Sequence, residues 1–143
     1  MSTRSAIGME KKDGKVICIY CHFDGYPSGV GETLKNFYNS ETKVKELIAL
    51  GDISSLGPKL YPTGEHSFEK PEHGVTVAYG RDRGEKDTNP TIYPSAKEFW
   101  HKIPEDFGAE YGYLFIAGQW YFADMEYYYR GDEEPSKDEI EIL

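Results

Sequence analysis

The dipeptide Asp13-Gly14 constrains this chain more than any other feature. It separates two apolar segments, residues 4–9 and 15–23, and Asp-Gly is among the strongest short signals for a two-residue hairpin turn of type I′. Such a turn sets Lys12 opposite Lys15 and pairs Met9 with Cys18, Ile7 with Tyr20, Ser5 with His22 and Thr3 with Asp24. Side chains alternate along a strand, so this register predicts that Thr3, Ser5, His22 and Asp24 share one face, with Arg4 and Phe23 on the other. The second strand is apolar on both faces from Val16 to Cys21, as expected of a central strand.

Beyond the hairpin, residues 24–31 have the composition of a loop. Ser28 is placed to cap a helix carrying Val30, Leu34, Phe37 and Tyr38, and Ser40 a second helix with Val44, Leu47 and Ile48 inward, ending near Gly51. Residues 52–74 are irregular, and residues 75–79 form a β-prone run that ends at Gly80. Ser95 and Glu98 have capping-box spacing ahead of a helical stripe of Ala96, Phe99, Trp100 and Ile103, which Pro104 is expected to halt. Residues 111–116 and 119–125 read as a closing hairpin around Ala117-Gly118. The order predicts one α+β domain over residues 1–130, with a mostly antiparallel sheet of N- and C-terminal hairpins and two or three helices packed on one face.

Charge sharpens the picture. The formal net charge is −9 over 143 residues, yet residues 131–143 hold six acids against one lysine and thus more than half of the imbalance. This segment reads as a solvated acidic C-terminal tail, or as an arm that blocks a basic groove on a partner. The acidic balance argues against nonspecific nucleic-acid binding. No apolar run is long enough to span a membrane, and two cysteines make no disulfide framework, so a cytoplasmic protein is expected. Of the aromatic residues, 15% of the chain, nine crowd between Tyr111 and Tyr129 and are expected mostly in the core.

Three clusters carry candidate chemistry. Cys18-Ile-Tyr-Cys-His22 matches the spacing of haem-attachment and redox motifs, but on a strand the two thiols face opposite ways and no second ligand pair exists, so neither metal nor cofactor is expected. His22 and Asp24, with Ser5 opposite, could imitate a hydrolytic triad, although a strand is a poor seat for a nucleophilic serine; ligand contact and a purely structural role compete with catalysis. Arg81-Asp82-Arg83 places two of the four arginines together, suited either to an anion or to a local salt-bridged turn.

Three segments, Ser2-Thr-Arg-Ser-Ala-Ile-Gly8, Ile19-Tyr-Cys-His-Phe-Asp-Gly-Tyr-Pro27 and Val77-Ala-Tyr-Gly-Arg-Asp-Arg-Gly-Glu85, resemble a family of small, largely uncharacterised bacteriophage accessory proteins. Phe23 stands where that family carries Trp, and Gly80 where it carries His, so a role of that second histidine does not carry over. The resemblance implies a counter-defence protein acting in the cytoplasm of a bacterial host. The expected function is non-enzymatic capture of a small anionic, nucleotide-like ligand such as an immune signal. Arg4, Ser5, His22, Asp24, Tyr26, Tyr79, Arg81, Asp82 and Arg83 are the candidate ligand-binding residues. The alternatives are an acidic inhibitor of a host defence protein and a small hydrolase using His22 and Asp24. A homodimer with the site at its interface would suit so small a chain.

Overall fold

The computed structural model describes residues 2–143. The first hairpin forms, β1 (Ser5–Glu10) against β2 (Val16–Cys21), but one residue out of the expected register. Lys11 donates its amide to Lys15 O at 2.7 Å, and the Gly14 amide donates back to Lys11 O at 2.9 Å. Gly14 has φ of +86° while Asp13 does not adopt positive φ. The connection is therefore a three-residue loop, a turn followed by a left-handed glycine, and not a type I′ turn, which needs positive φ at both central residues. Ser5 faces Cys21 and Ala6 faces Tyr20. A slip of one residue sends every side chain to the other face of its partner strand, so Ser5 and His22 part company, and Arg4 falls on the His22 side.

Among the described residues eight strands form one mixed sheet in the order β4-β3-β2-β1-β6-β7-β8, with β5 (Thr91–Tyr93) pairing the start of β2 on the same edge that β3 takes at its end. β3 is Ile53–Ser55, β4 Val77–Ala78, β6 Tyr111–Ile116, β7 Gln119–Asp124 and β8 Glu141–Ile142. The β1–β6 and β2–β3 pairs are parallel and the others antiparallel, so the chain has the expected α+β, mostly antiparallel character. The closing hairpin turns through Ala117 and Gly118, both at positive φ, as its sequence predicts.

A strand that is apolar on both faces needs cover on both sides, and it has two cores. On one side Ile7, Ile19, Cys21 and Tyr113 pack under α1 (Glu32–Phe37) and α2 (Glu41–Ala49). On the other, Ala6, Cys18 and Leu114 pack under Phe99, Trp100 and Ile103 of a later helix, Ala96–Phe107. Helices thus cover both faces of the sheet, not one. The two thiols are sealed into opposite cores, and burial pushes Cys21 up to about 12 and Cys18 higher still.

Local signals hold where capping chemistry dictates them. Ser40 Oγ accepts from the Lys43 amide and Ser95 Oγ from the Glu98 amide. The stretch capped by Ser28 in the sequence reading instead begins as a π-helical turn, Pro27–Gly31, that runs into α1, and Phe37 is exposed. The run 75–79 divides into β4 and a short helix, α3 (Tyr79–Arg83), which makes the Ala96–Phe107 helix α4. Pro104 does not halt α4. Its missing amide leaves the Trp100 carbonyl without a helical donor, and the Tyr127 hydroxyl, at the buried face of α5 (Glu126–Tyr129), donates to it instead. Residues 131–143, read as a solvated tail, fold back on the domain: β8 pairs β7, Pro135 is buried, and Leu143 packs against the first core. Among the described residues no helix is long and apolar enough to cross a membrane.

Candidate functional site

Where β2 ends, the chain continues along β3. The His22 amide donates to Ile53 O and the Phe23 amide to Ser54 O, so both residues are held beside the β3–β4 pair. α3 starts directly from β4, with Tyr79 in its first position and Arg83 in its last. Between these elements lies an open cleft of about 460 Å³ lined by His22, Phe23, Ser54, Phe68, Tyr79 and Arg83, among others. Phe68 reaches it from the irregular segment before β4. Its ring lies 5.6 Å from that of Tyr79, and the Arg83 guanidinium sits over it at 4.8 Å. Arg83 makes no ion pair among the described residues, so its charge faces the cleft unneutralised by a carboxylate in contact.

His22 is held from behind. The Tyr20 hydroxyl lies 2.6 Å from its Nδ1, and Phe23 meets the imidazole edge-on at 4.5 Å between centroids. Tyr20 is itself steadied by the Phe107 ring at 6.1 Å and by Asp52, whose carboxylate accepts its amide. Burial and the neighbouring Tyr79 phenol push the Tyr20 phenol above its ordinary value, although Arg4 pulls the other way, so Tyr20 stays protonated and able to donate. Burial likewise raises Tyr79, partly offset by the Ser54 hydroxyl. Among the described residues the cleft therefore presents one neutral phenol, aromatic faces, one imidazole and one guanidinium.

Of the candidate residues, His22, Tyr79 and Arg83 come together here. Arg81 and Asp82 do not line the cleft; they form a structural knot. Arg81 donates Nη1 to Leu60 O, Nη2 to Thr76 O at 2.7 Å, and Nε to Asp82 Oδ1 at 2.9 Å. Asp82 also accepts from the Ala78 amide at 2.8 Å, and His66 Nε2 lies 3.1 Å from it. His66 Nδ1 accepts from the Glu72 amide, which leaves Nε2 to carry the proton toward Asp82. Burial pushes Asp82 up, but Arg81, the Ala78 amide and His66 together hold its carboxyl below the usual carboxylate range.

The remaining candidates lie elsewhere. Ser5 is fully buried against Cys21, on the face away from His22, so the imitation triad does not assemble. Asp24, at φ of +57°, accepts from the Tyr26 hydroxyl at 2.9 Å and lines a separate groove of about 300 Å³ with Phe23, Glu32 and Phe37. Arg4 lies over Gly108, at the end of α4, with its backbone bonded to Glu110. Ser54, Phe68 and the partnership of Tyr20 with His22 join the site without having stood out in the sequence. Phe68 had a signal: it is the one aromatic residue in the polar stretch 62–74.

Chemically, the cleft can stack a planar ring and hold an anion. Its imidazole is partnered by a phenol and not by a carboxylate. Among the described residues no three His, Cys, Asp or Glu side chains are grouped to hold a metal ion. No protein-family model, curated protein or solved structure matches this chain.

Proposed function

We propose that this chain is a non-enzymatic binding protein that captures a small anionic, nucleotide-like ligand in the cleft between His22 and Arg83. The observation that carries the reading is the Arg83 guanidinium, free of carboxylate partners, held over one aromatic ring and beside a second. A guanidinium suits phosphate or carboxylate oxygens, and Phe23, Phe68 and Tyr79 supply faces for a base. In an accessory protein of the phage type that the sequence resembles, such a ligand is an immune signal and its capture is counter-defence. His22 and Asp24 open into different grooves, which supports binding over hydrolysis.

A second reading draws on the groove of Asp24 and Glu32, flanked by Phe23 and Phe37, at 44% and 47% exposure. An acidic groove with an aromatic rim suits a basic surface of a host defence protein.

Thermal-shift screening against cyclic mono- and dinucleotides and cyclic ADP-ribose isomers decides between them. Capture predicts a raised melting temperature that Arg83→Ala abolishes while the free protein stays folded. No shift with any of these ligands sinks the reading. Turnover of a ligand, detected by chromatography, would favour the hydrolase.

A further inference from the structure

The cleft offers little positive charge. Among the described residues Arg83 is its one cation, and no lysine lines it. Acidic residues stand close behind: Asp52 Oδ1 accepts from the Tyr20 amide at 3.0 Å, and the Glu85 amide donates to Tyr79 O. A polyphosphate brings several negative charges into such surroundings with one guanidinium to meet them. A second donor is nevertheless present. The Tyr20 hydroxyl lies 2.6 Å from His22 Nδ1; a phenol donating across this contact leaves the imidazole proton on Nε2, and no group among the described residues hydrogen-bonds that nitrogen. Nε2 is not a sealed atom, and the ring lies in the wall of the cleft.

Resting on the reading above, we infer that the cleft takes a planar ring joined to a single monoanionic phosphodiester, whose oxygens are shared between the Arg83 guanidinium and the His22 Nε2–H, with Tyr20 as the positioning residue that fixes the imidazole tautomer. Phosphodiesters have two equivalent unesterified oxygens and one charge, which matches one fork and one neutral donor. A triphosphate exceeds the charge the site can meet, and a neutral nucleoside leaves both donors unused.

Calorimetric titration of the intact protein with a neutral nucleoside, the corresponding cyclic nucleoside monophosphate and the nucleoside triphosphate tests this. The cyclic monophosphate should bind at least about tenfold more tightly than either of the others, the weight of a hydrogen bond to a charged group. Tyr20→Phe keeps the ring against Phe107 but lets the imidazole change tautomer. It should weaken the cyclic monophosphate by about tenfold, leave the nucleoside unchanged, and move the His22 imidazole nitrogen resonances from the Nε2–H pattern. His22→Gln carries an amide donor near the Nε2 position without needing Tyr20, so Tyr20→Phe should have no further effect in that background. Tightest binding by the triphosphate, or unaltered imidazole signals and affinity in Tyr20→Phe, overturns the inference while leaving anion capture standing. Failure of all three probes to bind, with other anionic nucleotides also inert, removes the capture reading and this inference with it.

Discussion

Arg81 and Arg83 stand two residues apart in one short motif, and the structure gives them opposite lives. Successive residues of a helix are separated by about 100°, so positions i and i+2 point to nearly opposite sides. In α3 this turns Arg81 inward to two carbonyls and Asp82, and Arg83 outward over Phe68. As a loop, the motif could be read as a pair of equal anion contacts; the helix separates them. Arg81→Ala strands the buried Asp82 carboxylate and two carbonyls and should destabilise the fold by about 2–3 kcal/mol in urea titration, allowing for its partial exposure. Arg83→Ala should leave the urea midpoint within experimental scatter. Asp82 adds a pH signature. Its folded carboxyl titrates below the usual carboxylate range, so its contribution is complete above that range and is lost as the pH falls through it. Asp82→Asn should lack that contribution at every pH, which flattens the acid side of a stability-versus-pH profile. An acid limb as steep as that of the parent protein would count against the knot.

At the scale of elements, the sequence announced most of the pieces and misjudged several junctions. The caps at Ser40 and Ser95 and the Ala117-Gly118 turn were legible because each depends on one or two local residues. The first hairpin was legible as a hairpin but not in register. A glycine at positive φ serves both a type I′ turn and a glycine bulge, and the two differ by one residue, which inverts the face of His22 relative to Ser5. β5 is three residues long and α3 five, too short for periodicity to reveal. Pro104 misled for another reason: its cost to the helix is met by a residue 23 positions away, Tyr127, which no local pattern can show. That pairing predicts a cycle. Tyr127→Phe leaves the Trp100 carbonyl buried without a donor and should destabilise by about 1–3 kcal/mol. Pro104→Ala restores the helical amide to the same carbonyl, so in the Tyr127→Phe background it should recover part of the loss. Additive losses in the double variant would refute the exchange of donors.

For the molecule as a whole, the acidic C-terminal segment matters as structure before it matters as charge. Arg130 grips Glu139 with both terminal nitrogens and Asp132 through Nε, and the guanidinium together with the Ser136 amide holds Glu139 down to about 2. Beyond this clasp Ile140 packs against one core and Leu143 against the other, so the segment closes both layers along the β7 edge. Deleting residues 131–143 should therefore destabilise the domain, by about 2 kcal/mol from the two half-buried side chains alone, and lower the melting temperature by several degrees. An unchanged melting temperature would restore the picture of a solvated arm. An inhibitory role of the arm therefore needs a test that spares the fold. Loss of activity on deletion would report unfolding as readily as loss of a docking arm. Glu134→Gln with Asp138→Asn removes exposed charge while sparing the Arg130 clasp and both packing residues. If the chain works by capture in the cleft, this double variant should bind the nucleotide probe with unchanged affinity; if the arm engages a basic host surface, the variant should lose that partner at unaltered melting temperature.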